Sequence, residues 1–444
     1  MVPEPTPRGL GVDVYLFPAV VGGGLGDIEE VLAAGRSLER AGFPVTLYRS
    51  PGRTLPPSVD GPWDWPVGIR RTRRIRPRNR RALTVSAWWG VCAAPGRDEP
   101  LGRAGAWSLE ARAVEATYGP DAVIHVSFEE FARTLMSREQ TIERYREGGV
   151  PIREIARRMR RPASRREVVR FHEAYRRFRG FDRPDVLHLF ASFAPSPGFR
   201  REFPEAVQTG PLWPGRKRTV RAHGTKVVRP RDWVWYASPS SSALLIPQVL
   251  TGLSASRRTT RLFVGPRMPA TPIPEGGRVR VEPLPVEAAA DWQRRFDSAD
   301  LRIVTGSRTL LEALEHRLPF LYFNGVIGRG QKLRRHRPEK IQALLVAWKR
   351  QGVDPRWRRD LANFASGRQV SEIVRRAAED PAWCSRFPRG VEITGYRAPF
   401  HDAGELLPQI ATRFARAAGA AQLVADIRFE GHRFAPALRG EISR

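Results

Sequence analysis

The chain has 444 residues, 41% hydrophobic, 9% aromatic and 27% charged. That is enough apolar material for two packed domains and too much for a disordered or collagen-like chain. Lysine and arginine total 75 against 46 acids, a formal charge of +29, but 70 of the 75 are arginines spread from Arg8 to Arg444, so the charge reads as a compositional bias and does not by itself name an anionic partner.

The first strong element is an apolar, partly β-branched run over 12–21, which predicts a buried strand. It breaks at Gly22-Gly23-Gly24-Leu25-Gly26-Asp27, and Ile28, Val31, Leu32 and Leu38 then recur near helical spacing over 28–41, closed by Gly42. A further strand is predicted over 44–48, completing a βαβ opening. The stretch 51–105 is rich in proline, arginine and tryptophan, with one clear strand at 83–88. A helix over 107–118 and a buried strand over 121–127 continue the alternation. A basic, helix-rich segment spans 131–178, a strand follows at 185–190, and 195–214 reads as a linker. The second half repeats the theme. Strands are predicted at 232–236, 260–264, 279–281, 301–304 and 320–323, with helices from 238–242 to Leu253, over 288–296 and over 309–316, and a closing helix over 403–424.

Two βα series joined by a linker predict an α/β protein of two doubly wound, Rossmann-like domains facing a cleft. The expected division is an N-terminal domain over 1–205 carrying a basic helical insertion at about 132–180, a C-terminal domain over 206–402, and a segment 403–444 packing back on the first domain. Cys92 and Cys384 lie far apart, which excludes a disulfide framework and a zinc-finger spacing and fits a reducing cytosol. No apolar run approaches the roughly 18–20 residues needed to cross a bilayer, and Pro3, Pro5 and Pro7 open the chain instead of a signal core. A cytoplasmic protein with peripheral contact at the inner face of an anionic membrane is expected.

The segment richest in chemistry is Ala299-Asp300-Leu301 followed by Gly306-Ser307-Arg308-Thr309 and Glu312-Ala313, with Pro319 before the next strand. A strand ends, a glycine turn opens a helix, and the amides of that first turn form an anion site fit for a nucleotide phosphate. Glu312, one turn further, can accept both hydroxyls of a ribose. The competing reading is a T-x-x-E capping box, in which Thr309 and Glu312 satisfy backbone donors and nothing more.

This run resembles the donor-binding signature of glycosyltransferases of the GT-B fold. It is most similar to the group containing the bacterial UDP-N-acetylglucosamine transferase that makes a lipid-linked peptidoglycan precursor. The resemblance implies sugar transfer from a nucleotide-sugar, a co-substrate in place of a bound cofactor. Gly306, Ser307, Arg308, Thr309 and Glu312 would hold the nucleotide, and Gln331 the sugar. Ser238 and Ser240 stand where the family's glycine/serine loop meets the diphosphate, although the usual double glycine is missing. Glu202 to Pro214 resembles the interdomain stretch, where a short strand runs into T-G-x-P. Gly23, Gly24 and Gly26 occupy the acceptor-side glycine loop, and Asp27 takes the place of the histidine that ends it.

A transfer of this kind needs a carboxylate or imidazole within reach of the attacking hydroxyl. Asp27 is the first candidate, set against an N-cap role before Ile28. His125 is the second, set against a satisfied histidine in an apolar strand. Arg308, with Arg329, Lys332, Arg334 and Arg335, lies where cations would offset a departing diphosphate. No cluster has metal-ligand spacing, and no metal is expected. The acceptor is expected to be lipid-linked or a glycan, and nucleic acid is not expected as a partner. Two alternatives stand beside this reading. One is a nucleotide-sugar 2-epimerase of the same fold, which needs more converging acids and histidines than the eight histidines here suggest. The other is a DNA-binding protein using residues 145–178, where Gly149-Val-Pro151 to Met159 resembles the first helix of a recombinase-type helix-turn-helix.

Overall fold

The computed structural model describes residues 11–17, 26–49, 69–87, 108–130, 180–195, 203–215, 231–236, 239–264, 278–283, 289–323, 339–388, 390–393 and 395–434. The expected basic helical insertion lies outside them up to residue 179, and so do Gly23, Gly24, Ser238 and Gln331. The chain forms two units, Met1–Leu212 with Thr394–Arg444, and Trp213–Ile393. The sequence reading divided it at 205/206 and 402/403.

The first unit holds a seven-stranded sheet: β1 (Val12–Phe17), β2 (Val45–Tyr48), β3 (Arg70–Thr72), β4 (Arg81–Ala87), β5 (Val123–Glu130), β6 (Val186–Ala191) and β7 (Ala206–Thr209), in the order β3-β2-β1-β4-β5-β6-β7. Every pairing is parallel. That explains why β1, buried at every residue, is a continuous apolar run apart from Asp13. Helix α1 (Gly26–Arg40) follows β1, and α2 (Leu109–Tyr118) precedes β5. One expectation changes here and one is met. β3 lies inside the stretch that gave no strand signal, whereas β7, inside the expected linker, is the short strand implied before T-G-x-P, paired to β6 through His188↔Ala206 and three further residues.

The second unit holds β8 (Arg231–Tyr236), β9 (Thr260–Val264), β10 (Val279–Pro283), β11 (Leu301–Val304) and β12 (Phe320–Tyr322), in the order β10-β9-β8-β11-β12 and again all parallel. The helices are α3 (Pro239–Ser254), α4 (Ala289–Ser298), α5 (Ser307–Glu315), α6 (Glu339–Arg350), α7 (Pro355–Ala365), α8 (Val370–Glu379) and α9 (Pro381–Arg386). Helix α3 packs closely on α8, since a Cβ at Gly252 would lie 2.5 Å from the Ser371 carbonyl oxygen. Behind β12 an aromatic cluster forms from Phe320, Trp348, Trp357, Trp383 and Phe387.

The chain then returns to the first unit as α10 (Ala403–Arg416) and α11 (Ala420–Phe434). The single closing helix expected over 403–424 is therefore two, broken where Ala417 turns extended at ψ 158°. Phe400, Leu406, Ile410, Phe414, Leu423 and Ile427 join Val14, Leu16, Leu83, Val126 and Leu189 in one core. A second cluster of Tyr15, Phe17, Tyr48, Ala111, Val114 and Val123 includes α2. Among the described residues, no helix is long and apolar enough to cross a membrane.

Candidate functional site

Both sheets change winding direction beside their first strand, between β1 and β4 in the first unit and between β8 and β11 in the second. At such a point the loops leaving the carboxyl ends of two neighbouring parallel strands diverge to opposite faces, and the crevice between them is where open α/β sheets hold ligands. In the second unit β8 ends beside β11, with Tyr236 paired to Val304. The serine segment that opens α3 and the glycine turn that opens α5 thus leave the sheet side by side. The sequence, which separates them by some 70 residues, does not show this. Ser240 lies in the first turn of α3.

Helix α5 begins at Ser307, with Gly306 as its N-cap at φ −95°, ψ 159°, and among the described residues no side chain caps that end. This overturns the capping-box reading. Thr309 is inside the helix, and its hydroxyl donates to the Gly306 carbonyl oxygen at 3.1 Å. The helix itself supplies no acceptor for the amides of its first turn, so they remain an anion-seeking pole. Gly306 is not demanded by its backbone angles, nor by packing, because a Cβ there would meet only the Thr309 hydroxyl at 3.6 Å. What the glycine does is leave the backbone bare. On the same helix Arg308 is 6% exposed and Glu312 7% exposed, one turn apart. Burying a cation and an acid together near a helix N-terminus is costly without partners, and both are engaged in interactions.

The opposite end of this sheet is tied down by charge. Arg261 grips Asp232 with two hydrogen bonds of 2.8 and 2.7 Å, and Asp300 accepts from the Asp232 amide at 3.1 Å. Arg302, fully buried in the apolar strand β11, donates to the carbonyls of Phe296 and Asp297 at 2.7 and 2.9 Å and so closes the C-terminus of α4. His316 meets the buried Asp297 carboxylate at 3.1 Å. The sequence reading gave Arg302 no role; its one signal is a charge inside an otherwise apolar strand.

In the first unit Gly26 and Asp27 open α1, on the chain leaving β1 at that sheet's own change of direction. Asp27 is the second residue of the helix rather than the residue before it. His125 is placed differently from a base at an opening. It is fully buried in β5; Nδ1 shares a 2.7 Å hydrogen bond with the Thr84 hydroxyl, and Nε2 lies 3.3 Å from Glu115 Oε1. Arg183 reaches the same Glu115 oxygen at 2.5 Å and holds Asp185 with bonds of 2.9 and 2.5 Å. Burial works against the Arg183 charge, but the Asp185 and Glu115 carboxylates outweigh it and hold the guanidinium above its ordinary pKa. Glu115, His125 and Asp185 have the atoms of a metal site within 4.8 Å of one another, yet the Arg183 guanidinium already takes the cation's place between the two acids. Sequence reasoning missed this network, because its members come from four separate elements.

No family model and no curated protein sequence matches the chain. Among solved structures, the glycotransferase of kitacinnamycin is 15% identical over 95% of this chain and 99% of its own, with a TM-score of 0.42. Os79 from O. sativa in complex with UDP is 14% identical over 94% of this chain and 100% of its own, with a TM-score of 0.44. MurG of Acinetobacter baumannii is 12% identical over 83% of this chain and 94% of its own, with a TM-score of 0.36.

Proposed function

We propose that the chain is a glycosyltransferase that moves a sugar from a nucleotide-sugar donor, a UDP-sugar in the first instance, to an acceptor hydroxyl. The observation that carries the reading is the opening of α5. It is an uncapped helix N-terminus with a bare glycine backbone and a buried acid one turn on, set where the sheet changes direction. The donor diphosphate would lie on the amides of Ser307, Arg308 and Thr309, with Gly306 beneath it. Glu312 would accept from the ribose hydroxyls. Ser238 and Ser240 would contribute from the neighbouring loop, and Gln331 would meet the sugar.

As the acceptor oxygen attacks the sugar, Asp27 would take its proton, and the bond from sugar to diphosphate breaks. The α5 amides and Arg308 offset the charge that develops on the leaving group. His125 is left out of this chemistry, since its ring is enclosed. The acceptor, lipid-linked or a glycan, is assigned to the glycine-loop side of the first unit, at the inner face of a membrane.

The test is thermal stabilisation of the purified protein by UDP, GDP, ADP and dTDP. A ligand present at 100 times its Kd adds about 2.7 kcal/mol to the stability of what it binds. UDP should raise Tm, and Glu312→Ala should remove most of that rise without lowering the Tm of the free protein by a comparable amount. Indifference to all four nucleotides would remove the reading.

A further inference from the structure

The arginines of this chain are not evenly spread. The chain holds 70 in 444 residues, yet residues 70–81 hold eight in twelve, and no acid occurs between Asp64 and Asp98. Arg70 and Arg71 belong to β3, the edge strand of the first sheet, where charge blunts pairing with other chains and needs no further explanation. Arg81 is spent inward, donating to the Phe414 carbonyl and lying over the Phe414 ring at 5.2 Å. What remains is Arg73 and, at every second residue of the connection from β3 to β4, Arg74, Arg76, Arg78 and Arg80. All four are exposed, and none forms an ion pair among the described residues.

The residues between them explain why the chain keeps this arrangement. Ile75 and Asn79 are half-buried: Ile75 packs on the cluster of Tyr15, Phe17 and Tyr48, and Asn79 is held by Asp13. Asp13, 5% exposed, accepts from the amides of Arg78 and Asn79 at 2.8 and 3.0 Å and from the Asn79 side chain at 2.9 Å. The Tyr118 hydroxyl donates to the same carboxylate at 2.7 Å and meets the Tyr15 hydroxyl at 2.8 Å. At the other end, the Thr72 hydroxyl bridges the backbone of Arg74. A buried acid therefore pins the backbone of a segment whose cations repel one another, so a partner meets a row already formed and much of the ordering cost of binding is removed.

We propose that Arg74, Arg76, Arg78 and Arg80 form a docking row for the phosphodiester backbone of a nucleic acid, a function separate from sugar transfer. The connection bends at Arg74 and again over 78–80, so the four side chains form an exposed cationic cluster, and clustered cations meet the closely spaced charges of a phosphodiester backbone. Guanidinium groups bind phosphate oxygens with two parallel hydrogen bonds. An anionic bilayer suits the row less well. It is a plane with an apolar interior, and the segment 70–81 itself has only the half-buried Ile75 as a large apolar side chain. Residues 70–81 include no aromatic either, so binding through them should follow charge and not base sequence.

The test is the anisotropy of a labelled 20-base-pair DNA duplex titrated with the full-length protein at several salt concentrations. Arg74, Arg76, Arg78 and Arg80→Gln together should weaken binding at about 0.1 M salt by roughly 30-fold or more, and should flatten the plot of log K against log salt by about 3 to 4, close to one step per lost phosphate contact. The control removes the same charge from exposed arginines of the other unit, Arg350, Arg356, Arg359 and Arg368→Gln, and should change binding by less than about 3-fold. Should the quadruple variant not fold, Arg76 and Arg78→Gln carries the test, with half the change in slope. Equal losses in row and control variants, absence of salt-dependent duplex binding, or binding to anionic phosphatidylserine vesicles but not to duplex would each overturn the proposal.

Discussion

A Cβ added at Gly210 would lie 1.7 Å from the His401 carbonyl oxygen, whereas one at Gly306 would meet nothing nearer than 3.6 Å. Gly210 also donates its amide to the Phe400 carbonyl at 2.8 Å, so the chain returning to the first unit runs directly over it. Gly210→Ala must displace backbone and should cost about 3 kcal/mol in urea unfolding. Gly306→Ala should cost less than about 0.5 kcal/mol, as at an ordinary surface site, yet weaken UDP binding at least several-fold. Similar stability losses at both positions would contradict this division between a packing glycine and a ligand-facing one. Histidine and aspartate divide in the same way. His125→Ala strands the Thr84 hydroxyl and Glu115 in a buried network and should cost about 3 kcal/mol, with turnover of the folded protein unchanged. Asp27→Asn should leave stability unchanged and lower turnover by about 10²–10⁴-fold. A His125 variant of normal stability that lacks turnover would reverse the assignment.

Helix α10 shows how an element can carry its own pH dependence. Asp402 is its N-cap, accepting from the Gly404 amide at 2.6 Å. Burial raises its carboxyl pKa above the ordinary 3.8, more than the amides of Gly404 and Glu405 and the nearby His401 lower it. The folded state then holds a proton that the unfolded chain has released. The stability this group contributes is complete below about pH 3.8 and is lost as pH rises through the raised value. Asp402→Asn keeps a capping oxygen and removes the titration. Urea unfolding from pH 3.5 to 7 should therefore show the variant gaining on the native protein as pH rises; a constant difference would show that the carboxyl does not titrate in that window. The strands that alternate with helices were legible because they are mostly apolar and buried, as in β1, β5 and β11, each interrupted by a polar residue such as Asp13, His125 or Arg302. β3 was not, since Arg70-Arg71-Thr72 is short and exposed and leaves no hydropathy signal. Among the described residues, helices α6 to α9 follow β12 with no strand between, so the βα rhythm gives no cue to them, although Val370, Ile373, Val374 and Ala377 repeat at helical spacing. In the candidate site the glycine turn and Glu312 were readable from local spacing. The pairing of β8 with β11 and the enclosure of His125 were not, because both depend on residues brought together by the sheets.

At the scale of the molecule, the two units depend on different stretches of chain. The second, Trp213–Ile393, is one continuous segment with its own sheet and its own helices. The first is split, and α10 and α11 give its core Phe400, Leu406, Ile410, Phe414, Leu423 and Ile427, all buried. Fully burying each such side chain contributes about 1.5–3 kcal/mol, so losing all six, about 9–18 kcal/mol, is as large as the roughly 5–15 kcal/mol by which a domain is stable. A Cβ at Gly431 would meet Val207 at 2.5 Å, so α11 lies directly against β7. A chain ending at Ile393 should therefore lose the cooperative unfolding of the seven-stranded sheet. Calorimetry should still find one transition, from the unit that carries Gly306 and Glu312, and UDP should raise its midpoint by as much as it raises that of the full chain. If the truncated protein keeps both transitions, α10 and α11 are covers and not core. If it keeps a transition that UDP leaves unmoved, the nucleotide site needs more than the second unit supplies.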